Sequence, residues 1–207
     1  MSSDTTERSV RREPVAAPEA PVGRSTGWWG MALFISTEAA TFAVFLASYF
    51  YLRFSHTSGW PPPSEKVPDL VLPSVATGVL VLSCVPMLLA VRTTPRNRTA
   101  ASGLGVAGAF AGGCAFLVLQ VLDWAGEYPS STPSKDAYGS LFYVITGLHA
   151  AHVAIGVGML LFLLASLAAG RLGRERHEPV NLVALYWYFM SVVALGVYAT
   201  VYLSPYL

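Results

Sequence analysis

"GMALFISTEAATFAVFLASYF", residues 30–50, carries a single ionisable side chain, Glu38, in a run that is otherwise apolar or hydroxyl-bearing. No other charged group occurs between Trp28 and Tyr51. A run of that kind crosses a bilayer as one helix of roughly 20 or more residues. At roughly 1.5 Å of rise per residue, Glu38 is expected about 15 Å from the end near Trp28, close to the midplane of a hydrocarbon core roughly 30 Å thick. An ionised side chain is expensive at that depth, so the carboxyl group is expected to be protonated, paired or turned into the protein.

The rest of the 207-residue chain extends this reading, being 54% hydrophobic and only 12% charged. Mean hydropathy is +0.51, a composition that belongs to membrane proteins. Four more apolar runs are long enough to span, so the sequence predicts an all-α integral membrane protein with five transmembrane helices. The spans cover residues 28–51, 70–91, 101–122, 138–169 and 181–202, within a domain of residues 27–207. Residues 1–26, "MSSDTTERSVRREPVAAPEAPVGRST", show no apolar period and no cleavable apolar region, and read as a disordered cytoplasmic tail. The first span is then expected to direct insertion.

Charge sets the expected topology. Of the 13 Lys and Arg residues, only Arg53, Lys66 and Lys135 fall on one side of the five spans. The others, among them Arg24, Arg92, Arg96, Arg98, Arg171 and Arg174, share the opposite side. The positive-inside rule places the N-terminus in the cytoplasm and the C-terminus outside. The loops on the predicted outer side, "SGWPPPSEKVPD" (58–69) and "GEYPSSTPSKDA" (126–137), are proline-rich and cannot continue a helix. Aromatic residues at the span ends, including Trp28, Trp29, Tyr49, Trp60, Tyr138 and Tyr202, are expected to be interfacial anchors. Gly108 and Gly112 in "GLGVAGAFAGGCAF" (103–116) form a small-xxx-small pair that invites close approach of another helix. Cys84 and Cys114 lie inside apolar runs and read as small buried side chains.

Besides Glu38, the deep ionisable residues are His149 and His152 in "ITGLHAAHV" (145–153), with Gln120 and Asp123 forming a polar site nearer a helix end. A spacing of three puts both histidines on one part of a helix surface, at depths that match Glu38. Three arrangements fit: a metal ion held by one Glu and two His, a carboxylate–imidazole pair joining two helices, or a protonated Glu38 bonded to a hydroxyl or carbonyl. No second deep Glu-x-x-His or His pair is present to complete a redox metal site. The chain also lacks a nucleophile elbow and a phosphate-cradling glycine loop, so no catalytic residue is assigned. An independent transporter would call for repeats, interrupted helices or several midplane polar groups.

Several motifs occur in an order that resembles subunit III of haem-copper terminal oxidases, in the short five-helix bacterial form. The stretch at 30–50 resembles the family's Gly-Met-x-Leu-Phe-x-x-Ser-Glu segment, followed by Trp60, Pro61 and Pro62 for its Trp-Pro-Pro loop. "LQVLDWAGEY" (119–128) is similar to its Gln-x-x-Glu-Tyr segment, and "YGSLFYVITGLHAAHVAIG" (138–156) to its Tyr-Gly-Ser and paired-histidine signature. The resemblance implies a non-catalytic subunit of an aerobic cytochrome c oxidase in the bacterial cytoplasmic membrane. It implies partners in subunits I and II, which hold the haem and copper, with none in this chain and no nucleic acid. It also implies a phospholipid-binding cleft between helices, support of proton uptake, and a buried polar cluster of Glu38, His149 and His152. A quinol oxidase or a protein associated with nitric oxide reductase shares the same motifs. The chain departs from the pattern at Thr37, at Asp123 where the family has Glu, and at Tyr188 and Ser191, which replace the family's His and Asp in "WYFMS" (187–191).

Overall fold

The computed structural model describes residues 24–55, 60–62, 67–128, 136–173 and 176–207. The tail expected to be disordered therefore lies, up to residue 23, outside the described residues, as do Lys66, Lys135 and Arg174. Five helical stretches are long and apolar enough to cross a membrane. They are α1 (Thr26–Ser55), α2 (Val71–Leu82) continued by α3 (Cys84–Thr93), α4 (Thr99–Glu127), α5 (Ala137–Ala168) and α6 (Glu178–Val197). The described residues contain no strand.

Local chemistry sets the ends. The Asp136 side chain accepts from the Gly139 backbone N–H at 2.8 Å and caps α5, which satisfies a first-turn donor the helix itself cannot. At the other end Gly170 adopts φ +66°. Its N–H bonds to Leu167 and that of Arg171 to Ser166, both at 3.0 Å, the paired closure that a left-handed glycine permits. Asn97, also left-handed at φ 57°, ends the 3-10 turn Thr94–Arg96 that follows α3. Ser25 accepts from the Trp28 N–H at 3.2 Å, and its hydroxyl bonds to Glu178 in the first turn of α6, which joins the starts of α1 and α6.

The second span is not one helix but two. The regular turn is interrupted at Ser83, three residues ahead of Pro86, whose ring and missing N–H disfavour an unbroken ladder. The interruption is held on both sides. Gly108 and Gly112 of α4 face it so closely that a Cβ at Gly108 would lie 2.9 Å from Pro86 Cβ, and one at Gly112 would lie 2.5 Å from Ser83 Cβ. The partner of the small-residue pair is thus the α2–α3 joint. Trp187 of α6 donates from Nε1 to Ser83 Oγ at 2.9 Å. Its indole lies in a slot between Gly113 of α4 and Gly156 of α5, where added Cβ atoms would come within 2.5 Å and 2.9 Å of the ring. The free Cys84 and Cys114 form no disulfide, and the Cys84 thiol donates to Ser191 Oγ at 3.1 Å.

Helix α6 packs against α1, α2, α3 and α5, while α4 packs against α2, α3 and α5. Two buried clusters fill the bundle. One joins α2 to α6 around Leu80, Met87, Leu160 and Trp187. The other joins α1, α5 and α6 around Phe42, Tyr49, Phe142, Tyr186 and Tyr202. Tyr49, Tyr138 and Tyr202 are core residues at 0%, 2% and 3% exposure, a correction to their expected place as surface anchors. Their rings pack edge-on against Trp60, tilted against Phe142 and stacked on Tyr198 respectively, because neighbouring helices bring these aromatic side chains together.

Candidate functional site

Helix α1 contributes only Phe42 and Tyr49 as fully buried residues, so its attachment depends on a few contacts along one side. One of them is polar. Glu38 Oε2 lies 2.7 Å from His152 Nε2 across the α1–α5 seam. The other ring nitrogen, Nδ1, is 2.7 Å from the Leu148 carbonyl. A carbonyl only accepts, so Nδ1 carries the hydrogen. Nε2 and Oε2 then share one further proton between them, because an imidazole lone pair facing a carboxylate lone pair would repel. Whichever atom holds that proton, the pair carries no net charge, the form that a low-dielectric slab tolerates best. The side chains are 12% and 18% exposed for His152 and Glu38 respectively, so the pair is half-buried in the seam. Tyr186 of α6 donates to the His152 carbonyl at 2.9 Å and ties the third helix to the same place.

His149 stands apart. It is 2% exposed, and neither ring nitrogen has a hydrogen-bond partner among the described residues. Its ring meets the edges of Phe42 and Phe116 at centroid distances of 6.1 Å and 5.4 Å. Phe42 also touches His152 at 5.4 Å, so one phenyl ring separates the two imidazoles. Glu38 and His152 therefore come together, while His149 is enclosed by aromatic carbon. Among the described residues no three His, Cys, Asp or Glu side chains lie close enough to share a metal ion, so these side chains do not fit the tridentate arrangement.

A second polar group lies at the other end of α4. Asp123 Oδ2 accepts from Tyr202 OH at 2.6 Å and from Gln120 Nε2 at 3.2 Å, and all three side chains are buried. Tyr202 belongs to a π turn, Tyr198–Leu203, that follows α6. Trp124 donates to Thr146 Oγ1 of α5 at 3.1 Å, and Glu127 Oε1 accepts from the Asp69 N–H at 3.3 Å. Helix α4 thus runs past the expected end at Leu122, because Asp123 and Glu127 find partners inside the bundle. Tyr202 was the residue that sequence reasoning missed here, since an aromatic at a span end gives the same signal whether it faces lipid or a neighbouring carboxylate. Ser191, where the resemblance leads one to expect Asp, accepts from Cys84 and donates to the Trp187 carbonyl at 3.0 Å.

These features define a polytopic helical membrane protein whose polar side chains join its helices. The sequence model of the family described as "Cytochrome c oxidase subunit III" matches residues 18–206. Cytochrome c oxidase subunit 3 of Drosophila yakuba is 30% identical over 179 residues, covering 84% of this chain and 68% of the relative. The probable cytochrome c oxidase subunit 3 of Nocardia farcinica is 29% identical over 175 residues and is covered to 85% of its length. A heme-copper oxidase subunit I+III of Aeropyrum pernix is 31% identical over 188 residues, which are 87% of this chain and 22% of that protein. The chain belongs to the cytochrome c oxidase subunit III family.

Proposed function

We propose that this chain is the non-catalytic third subunit of an aerobic cytochrome c oxidase, packed beside subunit I in a bacterial cytoplasmic membrane with its N-terminus inside. The observation that carries this reading is the family match, which extends over residues 18–206. The fused subunit I+III of Aeropyrum pernix favours subunit I as the direct neighbour, and the relatives named for cytochrome c oxidase favour cytochrome c over quinol as the electron source. Haem and copper belong to subunits I and II, and this chain supplies a scaffold.

In this reading the Glu38–His152 pair holds α1 against α5 and thereby keeps the subunit seated on the core and proton uptake sustained. Phospholipid binds between helices. A cavity of about 360 Å³ between the end of α5 and the start of α6, whose charged lining is Arg171, Arg176 and Glu178, offers the two guanidinium groups to a phosphate and Phe162, Leu172 and Pro179 to its chains. Purification of the full chain from its native membrane in mild detergent tests the reading. A haem-bearing subunit I and a subunit II with a copper-binding Cys pair should accompany it, and the separated chain should hold no stoichiometric haem or copper. A chain that purifies alone, or with a nitric oxide reductase pair, would overturn the assignment.

A further inference from the structure

The cavity between the end of α5 and the start of α6 lies where the chain enters the bundle. Glu178, part of its lining, accepts from the Ser25 hydroxyl, and a Cβ on Gly27 would lie 2.8 Å from its Oε1. The Arg24 guanidinium sits 3.8 Å from the centre of the Trp28 ring. Residues 1–23 therefore leave the bundle from a fixed point at the rim of this cavity. An extended chain covers roughly 3.3–3.6 Å per residue, so the stretch from Ser25 back to Glu19 reaches about 20 Å. That is more than enough to cross a cavity of about 360 Å³.

The last part of that segment, "EPVAAPEAPVG" (13–23), holds three prolines, two carboxylates and no basic residue. Proline fixes φ and favours the polyproline II form, which has three residues per turn and no internal hydrogen bonds. At that period Val15, Pro18 and Pro21 fall on one edge, and Glu13 and Glu19 fall on the next. One edge is apolar and its neighbour acidic. The cavity offers the complement, since Phe162, Leu172 and Pro179 are apolar and Arg171 and Arg176 are cationic. Phe162 is 64% exposed, an aromatic surface of the kind on which proline-rich segments dock. Glu178 shares the lining, yet among the described residues neither guanidinium group is within ion-pair distance of a carboxylate.

We propose that residues 13–22 of the same chain dock in the α5–α6 cavity as an extended strap, with Pro18 and Pro21 against Phe162 and Pro179 and Glu19 against Arg171 and Arg176. The docking rests on the cavity and the segment alone. Its consequence, that the strap and an anionic headgroup exclude one another, rests on the reading that a lipid phosphate uses the same two guanidinium groups.

The test uses the full chain in phosphatidylcholine nanodiscs, with Cys84→Ser and Cys114→Ser removing the native thiols and a nitroxide on Ala20→Cys, which belongs to the third edge of the strap. The label should be immobilised. Glu19→Lys, or Arg171→Gln with Arg176→Gln, should lower the ratio of immobile to mobile label roughly two- to fivefold. The charge exchange Glu19→Arg with Arg171→Glu should recover part of that loss, and Glu7→Lys, outside the segment, should change nothing. If the label disturbs the strap, a disulfide between Pro18→Cys and Phe162→Cys under mild oxidation reads the same docking. A label that is mobile in the chain with both arginines intact, or immobile whether or not they are neutralised, would overturn the proposal. So would immobilisation found only in the intact oxidase, which would place the segment on another subunit. Phosphatidylglycerol added to the discs should free the label; a label that stays immobile there refutes the shared use of the guanidinium groups and leaves the docking standing.

Discussion

Removing Glu38 leaves His152 Nε2 facing an apolar seam, and removing His152 does the same to the carboxyl group; either loss strands one polar group. The single variants Glu38→Ala and His152→Ala should each destabilise the α1–α5 contact. The double variant should be milder than their sum by about 1–2 kcal/mol, the upper range of polar interactions between membrane helices. Thermal unfolding of the purified oxidase measures the coupling, and strict additivity would refute it. Glu38→Gln, which still hydrogen-bonds, should be less damaging than Glu38→Ala. His149 gives the opposite expectation, since its two unsatisfied nitrogens gain nothing from burial. His149→Leu should cost less than His152→Leu in the same melt and stay within about 1 kcal/mol of wild type. That Glu38 had to be protonated, paired or turned into the protein was legible in the sequence from depth alone. Which histidine reaches it was not, because a spacing of three places both on one flank and the axial rotation of α5 makes the choice.

Helix α4 shows what close packing demands. A Cβ added at Gly105 would lie 2.5 Å from the Pro86 carbonyl oxygen and 2.7 Å from the Ala90 nitrogen, and backbone atoms cannot step aside as a flexible side chain does. Gly105→Ala should therefore push α3 from α4 and destabilise the subunit by about 1–3 kcal/mol. Gly158→Ala, with nothing within 4 Å of the added carbon, should be neutral or slightly favourable because alanine is the better helix former. Equal effects in a detergent melt would contradict the observed contact. The five spans were readable because hydropathy over about 20 residues is set by the bilayer and needs no tertiary contact. The interruption at Ser83 was less so: Pro86 was visible, but membrane helices often accommodate proline, and the glycines that receive this joint lie on another helix.

For the whole molecule, the orientation proposed from the distribution of arginine can be checked by reporter fusions. A reporter after Leu207 should score outside and one at Arg96 inside; an inside C-terminus would mean an even number of crossings. Topology also imposes an order in time. Glu38 and His152 are separated by 114 residues. At about 5–20 residues per second, roughly 6–23 s pass between synthesis of the carboxyl group and synthesis of its partner. Throughout that interval α1, with only Phe42 and Tyr49 to be fully buried in the finished bundle, waits in the membrane for helices the ribosome has yet to make. Helix α1 is thus delivered well before it can be secured, and biogenesis of the subunit is exposed to whatever else in the bilayer can engage a solitary glutamate before α5 arrives.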